Sequence, residues 1–258
     1  MKSNIIFMII LFIIAFVIFN AQKNNIVQTS PDLSKKNNIQ TNENKSPKKL
    51  VVQNLQIRYK QLIAISLYGN LYLEDNKFRL TANSLFGKEL DLGINDQELW
   101  YWSKRSKPKG IYYSNIENID KTMLKAALSP SWLIKALGLS CHNDKNTKII
   151  HNEKNNYIVN MEINHLKQSQ TIVTIIEKNT NKILENCLYD DKGKIIAKAS
   201  ITQHQIIDEY TIPRKININW YEEGIQMEWT LNQTNISQKI NKSVWIKPNI
   251  QPSFNIGK

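Results

Sequence analysis

Glycine, cysteine and histidine are scarce in this chain of 258 residues, which contains eight, two and four of them. It has no Gly-x-Gly-x-x-Gly and no Gly-x-x-x-x-Gly-Lys-Ser/Thr motif, so the fingerprints of nucleotide-binding folds are missing. A Gly-x-Ser-x-Gly turn for a nucleophilic serine is also missing. Near Cys141-His142 there is no second pair of ligands at the spacing a metal site needs. The sequence therefore predicts no enzyme, no cofactor and no metal.

Positive charge is in excess, but it lies mostly outside the region with regular patterning. The net charge is +12, and residues 1–60 alone hold nine Lys/Arg against two Asp/Glu. A nucleic-acid-binding domain carries its basic surface on the folded part. A basic tail next to a membrane segment either contacts anionic head groups or stays solvated. We therefore expect no nucleic-acid partner.

The N-terminal end has the pattern of a targeting or anchoring segment. Residues 5–19 are almost all apolar and follow Lys2, which predicts a signal peptide or a membrane anchor over 1–21. Residues 22–49 are rich in Asn, Lys, Gln and Ser, a composition that favours a disordered tether. We expect export to the periplasm or cell envelope, with the protein either anchored in the inner membrane or released, and a C-terminal tail over 251–258.

Period-two alternation of apolar residues dominates the rest of the chain. It is clear in 62–74 and again in 215–221 and 225–232, and short polar turns separate successive segments. Such a series predicts an antiparallel meander in one domain over 50–250, with a curved half-barrel of about 11–12 strands. The pattern also predicts a short capped helix over 46–55 and a last strand over 243–247.

Two helices are predicted to interrupt the strands, over 118–128 and 130–139. Ser129 and Pro130 are a typical N-cap and first residue, and Gly138 is a typical stop. Each segment has an apolar stripe, which includes Leu124 in the first helix and Trp132 in the second. Amphipathic helices within an antiparallel sheet must cover one of its apolar faces, so we expect a helical lid over either a ligand cavity or a dry core.

Short motifs recur in a fixed order along the chain: Gly69-x-Leu71, Phe78-Arg79, Asp96-x-x-Leu99-Trp100, Pro213-x-x-Ile216 and Trp245-x-x-Pro248. This order resembles the LolA/LolB-type outer-membrane lipoprotein carriers over roughly residues 50–250. The resemblance implies a lidded half-barrel that holds acyl chains of lipoproteins in the periplasm without catalysis. An envelope sensor or scaffold that uses the same fold for protein contacts is the alternative.

The predicted ligand-binding residues are those whose apolar side chains would face the lid. They are Ile65, Leu67, Leu71, Leu73, Phe78, Trp100, Trp102, Leu124, Trp132, Leu133, Leu137, Ile216, Ile218, Trp220, Met227 and Trp229. In an oxidising compartment Cys141 and Cys187 could form a disulfide; two isolated buried thiols are the other interpretation.

Overall fold

The computed structural model describes residues 47–60, 64–121, 130–139, 147–152, 155–165, 168–221 and 224–257. The proposed signal or anchor and nearly all of the proposed tether lie outside these residues. No helix among the described residues has the length and apolarity required to cross a membrane.

One 15-stranded sheet contains every strand of the described chain, and its strands are almost all antiparallel. They are β1 Lys49–Lys60, β2 Ala64–Glu74, β3 Lys77–Ser84, β4 Gly87–Ile94, β5 Glu98–Ser103, β6 Ile111–Asn115, β7 Thr147–Asn152, β8 Asn156–His165, β9 Gln168–Glu177, β10 Ile183–Tyr189, β11 Ile195–Ile207, β12 Tyr210–Trp220, β13 Ile225–Leu231, β14 Thr234–Asn235 and β15 Ser253–Asn255.

The strand order is β15-β6-β5-β4-β3-β2-β1-β13-β12-β11-β10-β9-β8-β7, and β14 pairs with β1. Nearly all neighbours in space are also neighbours in sequence, so the predicted meander is confirmed. The pairing of β1 with β13, in which Ile57 is opposite Trp229, joins the strands β1–β6 to the strands β7–β13 in one open sheet. The parallel pair β15–β6 adds residues of the predicted C-terminal tail to the sheet edge.

Helical structure is sparse among the described residues. An α-helix, α1, spans Pro130–Ala136, and 3-10 helices span Ile116–Lys121 and Lys242–Trp245. The helix predicted over 130–139 is confirmed, whereas only the first turns of the one predicted over 118–128 lie within the described residues.

Two local predictions were wrong. Residues 49–60 form β1 instead of a capped helix, because β2 and β13 on its two sides supply partners for its backbone. Residues 242–245 form a 3-10 helix instead of a last strand. Its N-cap is Asn241, whose side chain accepts a hydrogen bond from the Ser243 backbone N–H.

The main hydrophobic core lies on one face of the sheet. Alternate residues of β1–β5 and β9–β13 point to it, for example Leu55 and Ile57 of β1 and Ile216 and Ile218 of β12. Helix α1 packs on this same face with Trp132, Leu133, Ala136 and Leu137. Helix α1 and the main core therefore lie on the same side of the sheet.

The C-terminal segment crosses the opposite face. Trp245 is buried there with Val51 and Ile240, and its indole N–H donates to Glu74 Oε2 at 3.2 Å. The Asn95 side chain donates to the Trp245 carbonyl at 2.8 Å. These contacts fix β2 and the β4–β5 turn from outside and leave the core face free for α1.

Candidate functional site

A cavity of about 180 Å³ lies between the core face of the sheet and α1, and it is partly open to solvent. Its wall is almost entirely apolar. The lining residues are Ile57, Tyr59, Ile65, Leu67, Leu80, Glu89, Leu90, Leu92, Tyr101, Ser103, Arg105, Leu133, Trp220, Ile225, Met227 and Trp229.

The cavity shows that the sheet is strongly curved. Tyr101 on β5 and Trp220 on β12 both line it, although six strand-to-strand steps separate these two strands. In a flat sheet they would be about 29 Å apart, at about 4.8 Å per step. The core face is therefore concave, and it wraps around a space that Leu133 of α1 also lines.

Apart from Leu80 in the middle of β3, the sheet residues that line the cavity come from one end of the half-barrel. They lie near the end of β1, the start of β2, the start of β4, the end of β5, the end of β12 and the start of β13. At this end the β3–β4 turn exposes Leu85 and Phe86, which are 93% and 82% exposed. The cavity is thus next to an apolar hairpin tip.

Helix α1 is held over the concave face by a polar contact. The side chain of Asn186 on β10 is fully buried, and its amide donates to the Lys135 carbonyl at 2.9 Å while its oxygen accepts from Thr174. Leu133, one turn before the end of α1, lines the cavity. A movement of α1 away from the sheet would therefore break this hydrogen bond and widen the cavity.

One corner of the cavity is polar. The Glu89 carboxylate accepts from Ser84 Oγ at 2.7 Å and from Arg105 Nε at 3.1 Å, and Lys104 Nζ lies 3.5 Å away. Burial raises the pKa of Glu89, but the hydrogen bonds from Ser84 and Arg105 outweigh it and the pKa is below its ordinary value. The carboxylate is therefore ionised at neutral pH.

Three further polar atoms are buried around Met227, and within the described part of the chain they have no hydrogen-bond partner: the Tyr59 hydroxyl and the indole N–H groups of Trp220 and Trp229. Tyr59 is directly opposite Met227 across β1 and β13. Burial raises the pKa of Tyr59 to about 12, so the hydroxyl keeps its proton. The cavity wall is thus mainly apolar but also contains three hydrogen-bond donors.

The fold is assigned from its similarity to solved structures. A LolA superfamily protein from Nitrosomonas europaea matches with a TM-score of 0.57 at 9% identity, over 78% of this chain and 91% of that one. The chain has the LolA fold. An outer membrane lipoprotein-sorting protein domain from Vibrio parahaemolyticus matches with a TM-score of 0.54 at 12% identity, over 76% and 88%.

A DUF1329 family protein from Desulfovibrio piger also has this LolA-like architecture, with a TM-score of 0.56 at 10% identity, over 78% of this chain and 90% of that one. No protein-family model matches the sequence, and no curated protein does. The resemblance seen in the short motifs is thus confirmed at the level of the fold.

The structure brings many of the predicted ligand-binding residues together on the concave side of the LolA-like sheet. Six line the cavity: Ile65, Leu67, Leu133, Trp220, Met227 and Trp229. Seven others lie in the surrounding core: Leu71, Leu73, Phe78, Trp132, Leu137, Ile216 and Ile218. Leu124 lies outside the described residues.

Trp100 and Trp102 were wrongly placed on the cavity side. Trp100 is fully buried on the convex face, where its indole N–H donates to Asp91 Oδ1 at 3.0 Å. Trp102 lies near Lys88, whose Nζ is 5.8 Å from the ring centroid. In β5 the residues that face inward are Leu99 and Tyr101, since successive side chains alternate between the two faces. Alternation fixes which residues share a face, and tertiary packing decides which face is concave.

Cys187 carries a free thiol in this structure, buried on the convex face with Val173 and Ile195. Its pKa is raised to about 12 by burial and by the neighbouring Glu185 carboxylate. A thiol that keeps its proton is a poor nucleophile. The disulfide with Cys141 is not formed here, and Cys141 itself lies outside the described residues. Within the described chain, no three His, Cys, Asp or Glu side chains converge as a metal site.

Four polar residues of the cavity were not predicted from the sequence: Tyr59, Glu89, Tyr101 and Arg105. Glu89 reaches the concave side because a register shift between Ala82 and Asn83 leaves it without a paired residue on β3. Such a bulge leaves no clear signal in a single sequence. Tyr59 could have been found, because it continues the alternation Leu55, Ile57, Tyr59 once β1 is recognised as a strand.

Proposed function

We propose that this chain is a non-enzymatic binding protein of the bacterial cell envelope that holds acyl chains of lipids or lipoproteins in the concave cavity. The observation that carries the proposal is the almost wholly apolar cavity between the sheet and α1. Burial of an acyl chain stabilises a complex by roughly 0.8 kcal/mol per CH₂, so such a wall favours hydrocarbon.

The size of the cavity indicates that a ligand must open it. Its volume of about 180 Å³ is slightly above that of an engineered 150 Å³ cavity known to bind benzene. A full acyl chain needs more space, which α1 provides by moving away from β10–β12. In this proposal α1 acts as the lid, and Leu133 is the side chain that ligand displaces.

The proposal also includes where in the cell the protein acts, which is the cell envelope. In this proposal residues 1–21 direct export or anchor the chain in the inner membrane. The predicted tether over 22–49, without Lys49, which begins β1, holds the half-barrel at a distance from that membrane. The neighbours in fold support this assignment, since two of them are named as LolA superfamily and lipoprotein-sorting proteins. A role in moving lipoproteins towards the outer membrane is the specific form that we propose.

Filling the cavity should abolish binding. Leu67→Trp places a larger side chain in the space between β2 and α1, and we expect uptake of a fluorescent fatty acid by the delipidated protein to fall at least tenfold. The reason is steric, because the added ring occupies the volume that the acyl chain needs. The measurement is a fluorescence titration, with thermal unfolding followed in parallel.

Leu67→Ala is the matched variant, because it enlarges the same space. It should lower the free energy of unfolding by about 2 kcal/mol while uptake is kept. If wild-type protein takes up no fatty acid at any concentration, or if Leu67→Trp binds as well as wild type, the cavity is not the binding site.

The exposed hairpin tip suits a protein that takes its ligand from a lipid surface. Leu85 and Phe86 lie at the end of the sheet where the cavity is found, with Lys104 close enough to donate to the Phe86 carbonyl at 3.0 Å. Burial of two such apolar side chains in a bilayer contributes about 1.5–3 kcal/mol each. Replacing both by serine should therefore reduce binding to phosphatidylglycerol-containing vesicles about tenfold or more, measured by co-sedimentation.

Ile206→Ser is the control for this experiment. Ile206 is 77% exposed, and it lies at the opposite end of the sheet in the β11–β12 hairpin. Its replacement should leave vesicle binding unchanged. Equal loss in both variants would show that binding depends on general surface apolarity and that the hairpin tip has no special role.

A further inference from the structure

The polar corner of the cavity, formed by Ser84, Glu89, Lys104 and Arg105, has more donors than it uses. The Glu89 side chain is only 7% exposed, and its oxygens are satisfied by Ser84, Arg105 and Lys104. Arg105 gives Glu89 one hydrogen bond through Nε. Among the described residues its terminal nitrogens have no hydrogen bond, although a guanidinium carries five N–H donors.

Charge at this corner is also unbalanced. Lys104 and Arg105 face the single carboxylate of Glu89, which leaves one positive charge beside an apolar cavity. The side chain of Arg105 is 21% exposed, so its charge is partly removed from water and the interaction with an anion is strengthened. A planar guanidinium binds carboxylate and phosphate oxygens with well-defined geometry.

We propose that this corner binds the anionic head group of a single-chain amphiphile, with carboxylate or phosphate oxygens on Arg105 and Lys104 and the acyl tail in the apolar part of the cavity. This inference rests on the proposed function and adds the polarity of the ligand to it. The arrangement also orients the ligand, because the apolar wall from Leu133 to Trp229 offers no cation to an anionic group.

The test compares amphiphiles with the same twelve-carbon tail and different head groups: dodecanoate, dodecyl phosphate, dodecanol and dodecylamine. Wild-type protein at low ionic strength should bind at least one of the two anions about tenfold more tightly than dodecanol, which corresponds to a charged hydrogen bond at a partly exposed site. Dodecylamine should bind no better than dodecanol. The preferred anion identifies the source, a free fatty acid or a lipid phosphate.

Arg105→Gln should remove the preference, so that the preferred anion and dodecanol bind with equal affinity. Arg214→Gln is the control, because Arg214 is an exposed residue near the opposite end of β12. Raising the salt concentration to about 0.5 M should shrink the preference, since screening weakens the charged contact.

Equal affinity of wild-type protein for all four compounds would overturn the head-group site and leave the acyl-binding proposal intact. Tighter binding of dodecylamine would also overturn it, because Glu89 would then be the recognising group. No binding of any of the four would instead count against the proposed function itself.

Discussion

Replacing Asp91 by asparagine is expected to lower the free energy of unfolding by about 3 kcal/mol, since a buried ion pair that loses one partner leaves a charge uncompensated. Asp91 is fully buried on the convex face. It accepts hydrogen bonds from Arg79 at 3.1 and 2.7 Å, from Lys88 at 2.5 Å and from the Trp100 indole at 3.0 Å. Arg79 also donates to the Val244 carbonyl, so the loss should loosen the C-terminal segment.

The same variant should change the acid sensitivity of the protein. Burial raises the pKa of Asp91, but hydrogen bonds from Arg79, Lys88 and Trp100 outweigh it and hold the pKa below its ordinary value. A carboxyl with a lowered native pKa contributes its full stabilisation above its unfolded pKa of about 3.9, and loses it as the pH falls through the native pKa. Asp91→Asn should therefore lose less stability than wild type on acidification below about pH 4.

Urea unfolding at neutral and acid pH measures both effects. Asp191→Asn is the control, because Asp191 is exposed in the β10–β11 turn. It should leave the free energy of unfolding nearly unchanged. If Asp91→Asn behaves like Asp191→Asn, the network around Asp91 does not stabilise the fold.

Gly93→Ala is expected to cost about 3 kcal/mol, the upper end for overpacking a tight site. A Cβ at Gly93 would lie 2.1 Å from Cζ2 of the Trp100 ring. The ring has little freedom to move, because it is fully buried, its N–H is bonded to Asp91, and the Arg79 guanidinium carbon lies 5.6 Å from its centroid. The substitution therefore acts on the same network as Asp91→Asn.

A double-mutant cycle separates this steric effect from a loss of backbone freedom. In a Trp100→Ala background the space above Gly93 is empty, so Gly93→Ala should cost less than about 1 kcal/mol. A cost that stays the same in both backgrounds would show that the clash with Trp100 is not the cause. Chemical unfolding of the wild-type protein, the two single variants and the double variant gives the cost of Gly93→Ala in each background.

Prediction from the sequence worked best where a pattern depends on neighbours along the chain. Alternation in 62–74 correctly placed Ile65, Leu67, Leu71 and Leu73 on one face, and the Ser129-Pro130 signal correctly gave the start of α1. It failed at Trp100 because both faces of β5 are partly covered, one by the core and one by the C-terminal segment. An aromatic residue is then compatible with either face.

The sequence alone determined the antiparallel meander and the helix that follows Ser129, because these depend on side-chain period and turn residues within a few positions. The order of its short motifs resembled that of the LolA/LolB-type carriers. Tertiary structure decided which face is concave, where the C-terminal segment packs and how Glu89 and Arg105 meet beside the cavity. Those features depend on contacts between residues far apart in the chain and on a register shift. Strand pairing decides whether such features are stable, and the intrinsic conformational preference of single residues does not.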